Sequence, residues 1–259
     1  TVAGVTRLSM AAPPARRWAA IGAATLAALA TVCVGRITYS TGTGFGVWAV
    51  VLLTTTERHT PSHHRRVAGA AVLALLTGLS SPVAALFLAM IIAAHLLPQR
   101  RWALAAGLGA LTLGPAGVVN MIYAADGGLA LGWQAGLAIA GLYAAFVFGT
   151  RSRTIRLTAA LGVLATAAVT AVDTQVTYIV KRLPETFGGA SAAVNGRRWA
   201  AVLVVAMGGW NVLSIRTGIV EGGHAERTGA AFVPLVQALD DLPPLQPGMV
   251  VEVVPTALH

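Results

Sequence analysis

Asp173, Lys181 and Arg182 gather within a short stretch around an aromatic residue, Tyr178, at one end of a long apolar run. Charges at the edge of a bilayer that face a helix bundle often mark function. An arginine can hold a phosphate through two parallel hydrogen bonds, and a lysine can add a point charge. The spacing alone favours a plainer use, an interfacial anchor with no substrate. Asp126 is the other acidic residue expected on the same side as Asp173, and neither has a motif around it. The spacing therefore assigns no catalytic residue.

Other patterns read as packing. Gly42, Gly44 and Gly46 in TGTGFG look like part of a phosphate loop, but no lysine or spaced third glycine follows, so close helix packing is expected. His59, His63 and His64 include an i, i+4 pair, yet Pro61 interrupts it and no acidic partner stands near. No metal site is assigned, a divalent metal finds no support, and no cofactor motif is present. Gly132 and Gly136 form a small-xxx-small pair suited to helix contact. Trp18, Trp102, Trp133 and Trp199 each open an apolar run, as the aromatic belt of a bilayer interface does. The single cysteine, Cys33, permits neither an intrachain disulfide nor a thiolate metal site.

The elements that must carry these residues follow from composition. Of 259 residues, 56% are hydrophobic and 10% charged, against roughly 25% charged in soluble domains. An all-α polytopic membrane bundle of about 7–9 helical segments is expected over residues 1–216, in the plasma (cytoplasmic) membrane, with the bilayer as its first partner. Residues 1–216 hold 17 Lys+Arg and 4 Asp+Glu; residues 217–259 hold 1 and 5. The basic residues fall in short clusters between apolar runs, the positive-inside pattern, and no basic groove accompanies them, so nucleic acid is excluded as a partner.

A span needs about 20 apolar residues. Trp18 to Gly35 and Ile37 to Thr56 form a hairpin across Arg36, which marks a turn at one surface. The loop from Glu57 to Arg66 is placed in the cytoplasm. The run from Val67 to Leu97 is too long for one crossing, and Ser80, Ser81 and Pro82 break it into two short halves. Trp102 to Tyr123 crosses with a kink at Pro115, Trp133 to Gly149 returns, and Leu157 to Val172 crosses again. Between Asp173 and Gly196 two readings stay open. Either Pro184 to Asn195 is a short or re-entrant helix that returns the chain inward, leaving the C-terminal segment extracytoplasmic, or the stretch is an outer loop and that segment is cytoplasmic. Trp199 to Ile215 is the last crossing. Residues 217–259 read as the start of a soluble α/β domain, with a helix over Ala230 to Leu239 and a strand over Met249 to Val254. The missing initiator Met and the stop just after that strand read as a fragment.

The run VAGAAVLALLTGLSSPVAALFLAMIIAAHLL, residues 67–97, resembles an element of GT-C class glycosyltransferases, a short apolar helix ending in a polar, proline-bearing turn before a second helix. GRITYSTGTGFGVWAV from Gly35, SSPVAALFL from Ser80, VTYIVKRL from Val176 and the terminal VVEVVPTALH resemble multi-span membrane proteins of actinobacteria. The resemblance implies a transferase using a polyprenyl-phosphate sugar donor at the outer membrane face, with Lys181 and Arg182 on the lipid phosphate. That class carries an acidic catalytic residue in its first outer loop. Here no Asp or Glu lies between Thr1 and Thr56, so the resemblance assigns no catalytic residue either. Two other expectations stand beside it, a transporter or flippase-like protein and a non-catalytic membrane assembly protein.

Overall fold

A computed structural model describes residues 1–10, 12–54, 63–122, 132–171, 180–197, 200–222, 233 and 237. The chain divides into two compact units, residues 1–218 and 219–259. Among the described residues there is no strand, and the first unit is a bundle of α-helices. The helix expected over Ala230 to Leu239, apart from residues 233 and 237, and the strand over Met249 to Val254 lie outside the described residues.

The helices run α1 (Val2–Leu8), α2 (Pro14–Cys33), α3 (Ile37–Thr54), α4 (His63–Ser80), α5 (Pro82–Leu96), α6 (Trp102–Ile122), α7 (Trp133–Gly149), α8 (Arg153–Ala171), α9 (Gly189–Asn195) and α10 (Ala201–Gly222). Among the described residues, four stretches are long and apolar enough to cross a membrane: Ile37–Thr54, Pro82–Gln99, Arg153–Ala171 and Ala201–Val220. The sequence reading missed α1. Its seven residues include Thr6 and Arg7 and are too few to show an apolar stripe, and Val5 is its main contribution to a core shared with Ala20, Ala24 and Val47.

Local chemistry sets the boundaries. Ser81 is extended and its Oγ accepts a hydrogen bond from the Ala84 amide at 3.4 Å, while Pro82 takes the first helical position, where its missing N–H costs nothing. The break expected at Pro82 is thus a helix start. The halves are longer than expected, because α4 takes in His63 to Arg66 and α5 continues into a 3-10 turn at Leu97–Gln99. Left-handed backbone at Gly35 (φ 75°) follows α2, and at Arg100 (φ 58°) it ends the 3-10 turn. Pro115 lies inside α6, as the sequence indicated.

Two ends can be told apart. At one, Arg101 hydrogen-bonds His63 at 3.1 Å, joining the starts of α4 and α6. Thr150 and Gly196 form an antiparallel bridge, with the Arg151 amide donating to the Asn195 carbonyl and the Arg197 amide to the Gly149 carbonyl, both at 2.8 Å. At the other end, Tyr39 near the start of α3 meets Thr186, and Gly218 of α10 packs on the last carbonyl of α2, that of Cys33. The segment from Arg182 to Asn195 therefore runs from one end of the bundle to the other.

Small residues carry the packing. Ala20, Ala24 and Ala27 recur at helical spacing along α2 and are almost wholly buried, as are Ala70 and Ala74 of α4 with Ala49 of α3. Gly42 faces Ser81 and Ala84, Gly46 faces Thr77 and Leu88, and Gly136 faces Thr170. The glycines of TGTGFG and of the small-xxx-small pair thus sit at or beside helix contacts, Gly132 excepted, since nothing approaches it. Large apolar side chains face outward: Trp18, Trp102 and Trp133 are 70%, 63% and 67% exposed. Trp199 lies outside the described residues.

Candidate functional site

At the Tyr39 end, a polar cluster forms where the chain leaves residues 172–179 and enters the helical segment from Arg182. That segment opens as a π-helix over Pro184–Gly188 and tightens into α9. Widened turns of this kind recur at functional sites. Gly188 and Gly189 let the segment lie close to neighbours: a Cβ at 188 would come within 2.6 Å of the Phe146 ring.

Lys181 and Glu185, one turn apart, are paired at 3.9 Å, their side chains 33% and 13% exposed. The Lys181 ammonium also lies 5.7 Å from the centroid of Trp210, whose side chain stands near the Glu185 carboxylate. Asn211, beside it on α10, donates to the Glu185 carbonyl at 3.2 Å. Arg182 stacks over Tyr39 at 5.7 Å, and Arg36 is near enough that the two like charges oppose each other. Tyr39 is 2% exposed; its hydroxyl takes a hydrogen bond from Thr186 at 3.0 Å and donates to the Arg182 carbonyl at 3.4 Å. A second buried tyrosine, Tyr143 of α7, donates to the Val180 carbonyl at 2.6 Å. Two tyrosines from different helices thus fix the backbone on either side of Lys181.

No family model, curated protein or solved structure matches this chain.

The sequence-predicted Lys181 and Arg182 fall in one cluster. Asp126, Asp173 and Tyr178 lie outside the described residues. Glu185, Tyr39, Arg36 and Trp210 were not read from the sequence as parts of this site. The i, i+4 spacing of Lys181 and Glu185 was a usable signal for Glu185. For Tyr39 and Trp210 there was none, because the contacts cross more than 140 residues in one case and join different helices in the other. The cluster sets three cations, Arg36, Lys181 and Arg182, against one described carboxylate. A half-buried excess of positive charge attracts an anion, and a phosphate meets arginine geometry best.

Beneath the cluster lies a cavity of about 390 Å³ between α1, α3, α5, α7, α8 and the segment 183–195. Leu183 and Pro184, next in sequence to Arg182, line its upper part, and His95, Ser152 and Asn195 line the opposite end.

Proposed function

We propose that this chain is an integral membrane protein of the plasma membrane that binds the phosphate of a lipid-linked sugar through Arg36, Lys181 and Arg182, as part of a GT-C-like glycosyltransferase. The observation that supports the reading most is the convergence of three cations from two distant stretches of chain on one face, with a single carboxylate among them. The four long apolar helices and the outward-facing tryptophans support the membrane setting. Trp210, 45% exposed beside Lys181, offers an aromatic face next to the anion site. In such a reaction an acceptor hydroxyl attacks the anomeric carbon. The bond from that carbon to the phosphate oxygen breaks, and its electron pair leaves on the phosphate held by the arginines. Glu185 is the described carboxylate nearest to where the hydroxyl proton would go.

The test is binding of an isoprenoid monophosphate to the full chain in vesicles of neutral phospholipid, read by Trp210 fluorescence with Trp210→Phe as the silent control. Hydrogen bonds to charged groups contribute about 1.5–3 kcal/mol each, so Arg182→Gln should weaken binding about 10- to 100-fold. Unchanged binding in the Arg36→Gln/Arg182→Gln double variant refutes the site.

A second reading, a transporter or flippase-like protein, draws support from the interior cavity, since irregular or broken helices around a central cavity also serve transport. Uptake of the same phosphate into sealed vesicles without chemical change would favour it over transfer.

A further inference from the structure

Glu185 shares its cations with any anion that the cluster would hold. Its carboxylate lies 3.9 Å from the Lys181 ammonium, and Arg36 and Arg182 act on it as well. Among the described residues, the other groups that face it are the Tyr39 phenol of α3, the Tyr143 phenol of α7, and Trp210 with Asn211 on α10. Both phenols donate to backbone carbonyls, Tyr39 to Arg182 and Tyr143 to Val180, so neither balances its charge. The three cations therefore offset the cost of keeping a charge on a carboxylate whose side chain is only 13% exposed.

The pair with Lys181 is loose. A charge-assisted hydrogen bond between an ammonium and a carboxylate closes to about 2.7–2.9 Å, against 3.9 Å here. The backbone of Glu185, by contrast, is held. Its amide donates to the Lys181 carbonyl at 3.3 Å, and its carbonyl accepts from Asn211 at 3.2 Å. The residue stays in place while its carboxylate can give way to another anion. Two like unit charges about 6 Å apart change affinity about threefold at the dielectric of water, and more at a half-buried site.

Resting on the phosphate reading above, we propose that Glu185 is the resident counter-ion of the Arg36, Lys181 and Arg182 cluster and competes with a bound phosphate for those cations, so that the phosphate and a proton on Glu185 favour each other. On binding, that proton comes from solvent. In transfer it comes from the acceptor. A diester carries one charge and shifts Glu185 part of the way toward protonation. The second charge appears as the bond to the anomeric carbon breaks, and it strengthens Glu185 as a base when the acceptor hydroxyl must lose its proton. The electron pair goes to the phosphate and the proton to Glu185, so the net charge of the cluster with its ligand is the same before and after.

The experiment measures retention of a radiolabelled short-chain isoprenyl methyl phosphate by the full chain in neutral phospholipid vesicles, over protein-free vesicles, from about pH 8 to about pH 4.5. This diester keeps one negative charge throughout, so its own titration does not enter. Wild-type affinity should rise about tenfold as the pH falls, because protonated Glu185 no longer competes. Glu185→Gln should bind about tenfold more tightly than wild type at the alkaline end and show no pH dependence. Glu185→Asp keeps the charge and should keep the slope. A wild-type affinity that does not change with pH overturns the proposal, whether or not the variants fold. So does a Glu185→Gln variant that keeps the wild-type slope or binds more weakly at the alkaline end. In those outcomes the phosphate site still stands if Arg36→Gln/Arg182→Gln loses the diester. If that double variant binds the diester as wild type does, the phosphate site fails and the counter-ion role fails with it.

Discussion

Gly162 of α8 faces the Tyr143 ring so closely that a Cβ there would fall inside the ring's van der Waals surface. That ring cannot swing away cheaply. It is 2% exposed, and its hydroxyl holds the Val180 carbonyl at 2.6 Å, one residue before Lys181. Gly162→Ala should therefore do two things. Overpacking of a buried contact costs about 1–3 kcal/mol, and displacement of the ring adds the loss of a hydrogen bond worth about 0.5–1.5 kcal/mol. Together these amount to roughly 2–4 kcal/mol, and at about 2–4 °C per kcal/mol for a chain of this size Tm should fall by roughly 4–16 °C. Two companions separate the terms. Tyr143→Phe removes only the hydrogen bond, leaves the buried Val180 carbonyl without that donor, and should lose about 1–3 kcal/mol. Gly141→Ala, where nothing approaches within 4 Å, should be neutral or stabilising by up to about 1 kcal/mol through helix propensity. The assay is thermal unfolding in one detergent at fixed lipid content, followed by isoprenoid-phosphate titration of the Trp210 signal. If Gly162→Ala and Gly141→Ala unfold at the same temperature, the close approach of α7 and α8 described here is wrong. If Gly162→Ala unfolds early yet binds unchanged, Tyr143 does not position Lys181.

Three further outcomes follow from the same packing. Tyr39→Phe leaves Thr186 and the Arg182 carbonyl short of a buried partner, so it should cost about 1–3 kcal/mol in thermal unfolding and weaken the anion response. Gly78→Ala meets the Thr112 backbone carbonyl, which has no rotamer to change, and should be among the most destabilising glycine substitutions by the same assay. Ser81→Ala removes the α5 cap and should cost about 1 kcal/mol without altering anion binding, which titration of the variant checks.

The helices were largely legible in the sequence because lipid-length apolar runs punctuated by basic residues leave few alternatives. Trp133–Gly149 came out with the same bounds in both readings, and Ser81–Pro82 marked a real boundary. Where polar residues belong to a helix, as His63 to Arg66 do in α4, hydropathy stopped short. The candidate cluster was half legible. Lys181 and Arg182 announced themselves as charges at the edge of an apolar run. Tyr39 looked like any aromatic near a helix start, and only tertiary packing brings its hydroxyl to Thr186. Glu185 was hidden by its setting in a weak, glycine-rich segment whose helical period could not be trusted.

The bridge between Thr150 and Gly196 bears on depth as well as on connectivity. The 14 residues from Arg182 to Asn195 join the two ends of the bundle, and even as regular α-helix they measure only roughly 21 Å, against a hydrocarbon core of about 30 Å. In a bilayer whose surface lay at the basic loop that holds Asn195, Lys181 and Arg182 would stand roughly 10 Å short of the opposite surface. Cations at that level require water or headgroups to descend to them, so the bilayer around this protein should be dimpled on that side. A lipid phosphate would meet the arginines by sinking into that depression, without its chain ever leaving the membrane.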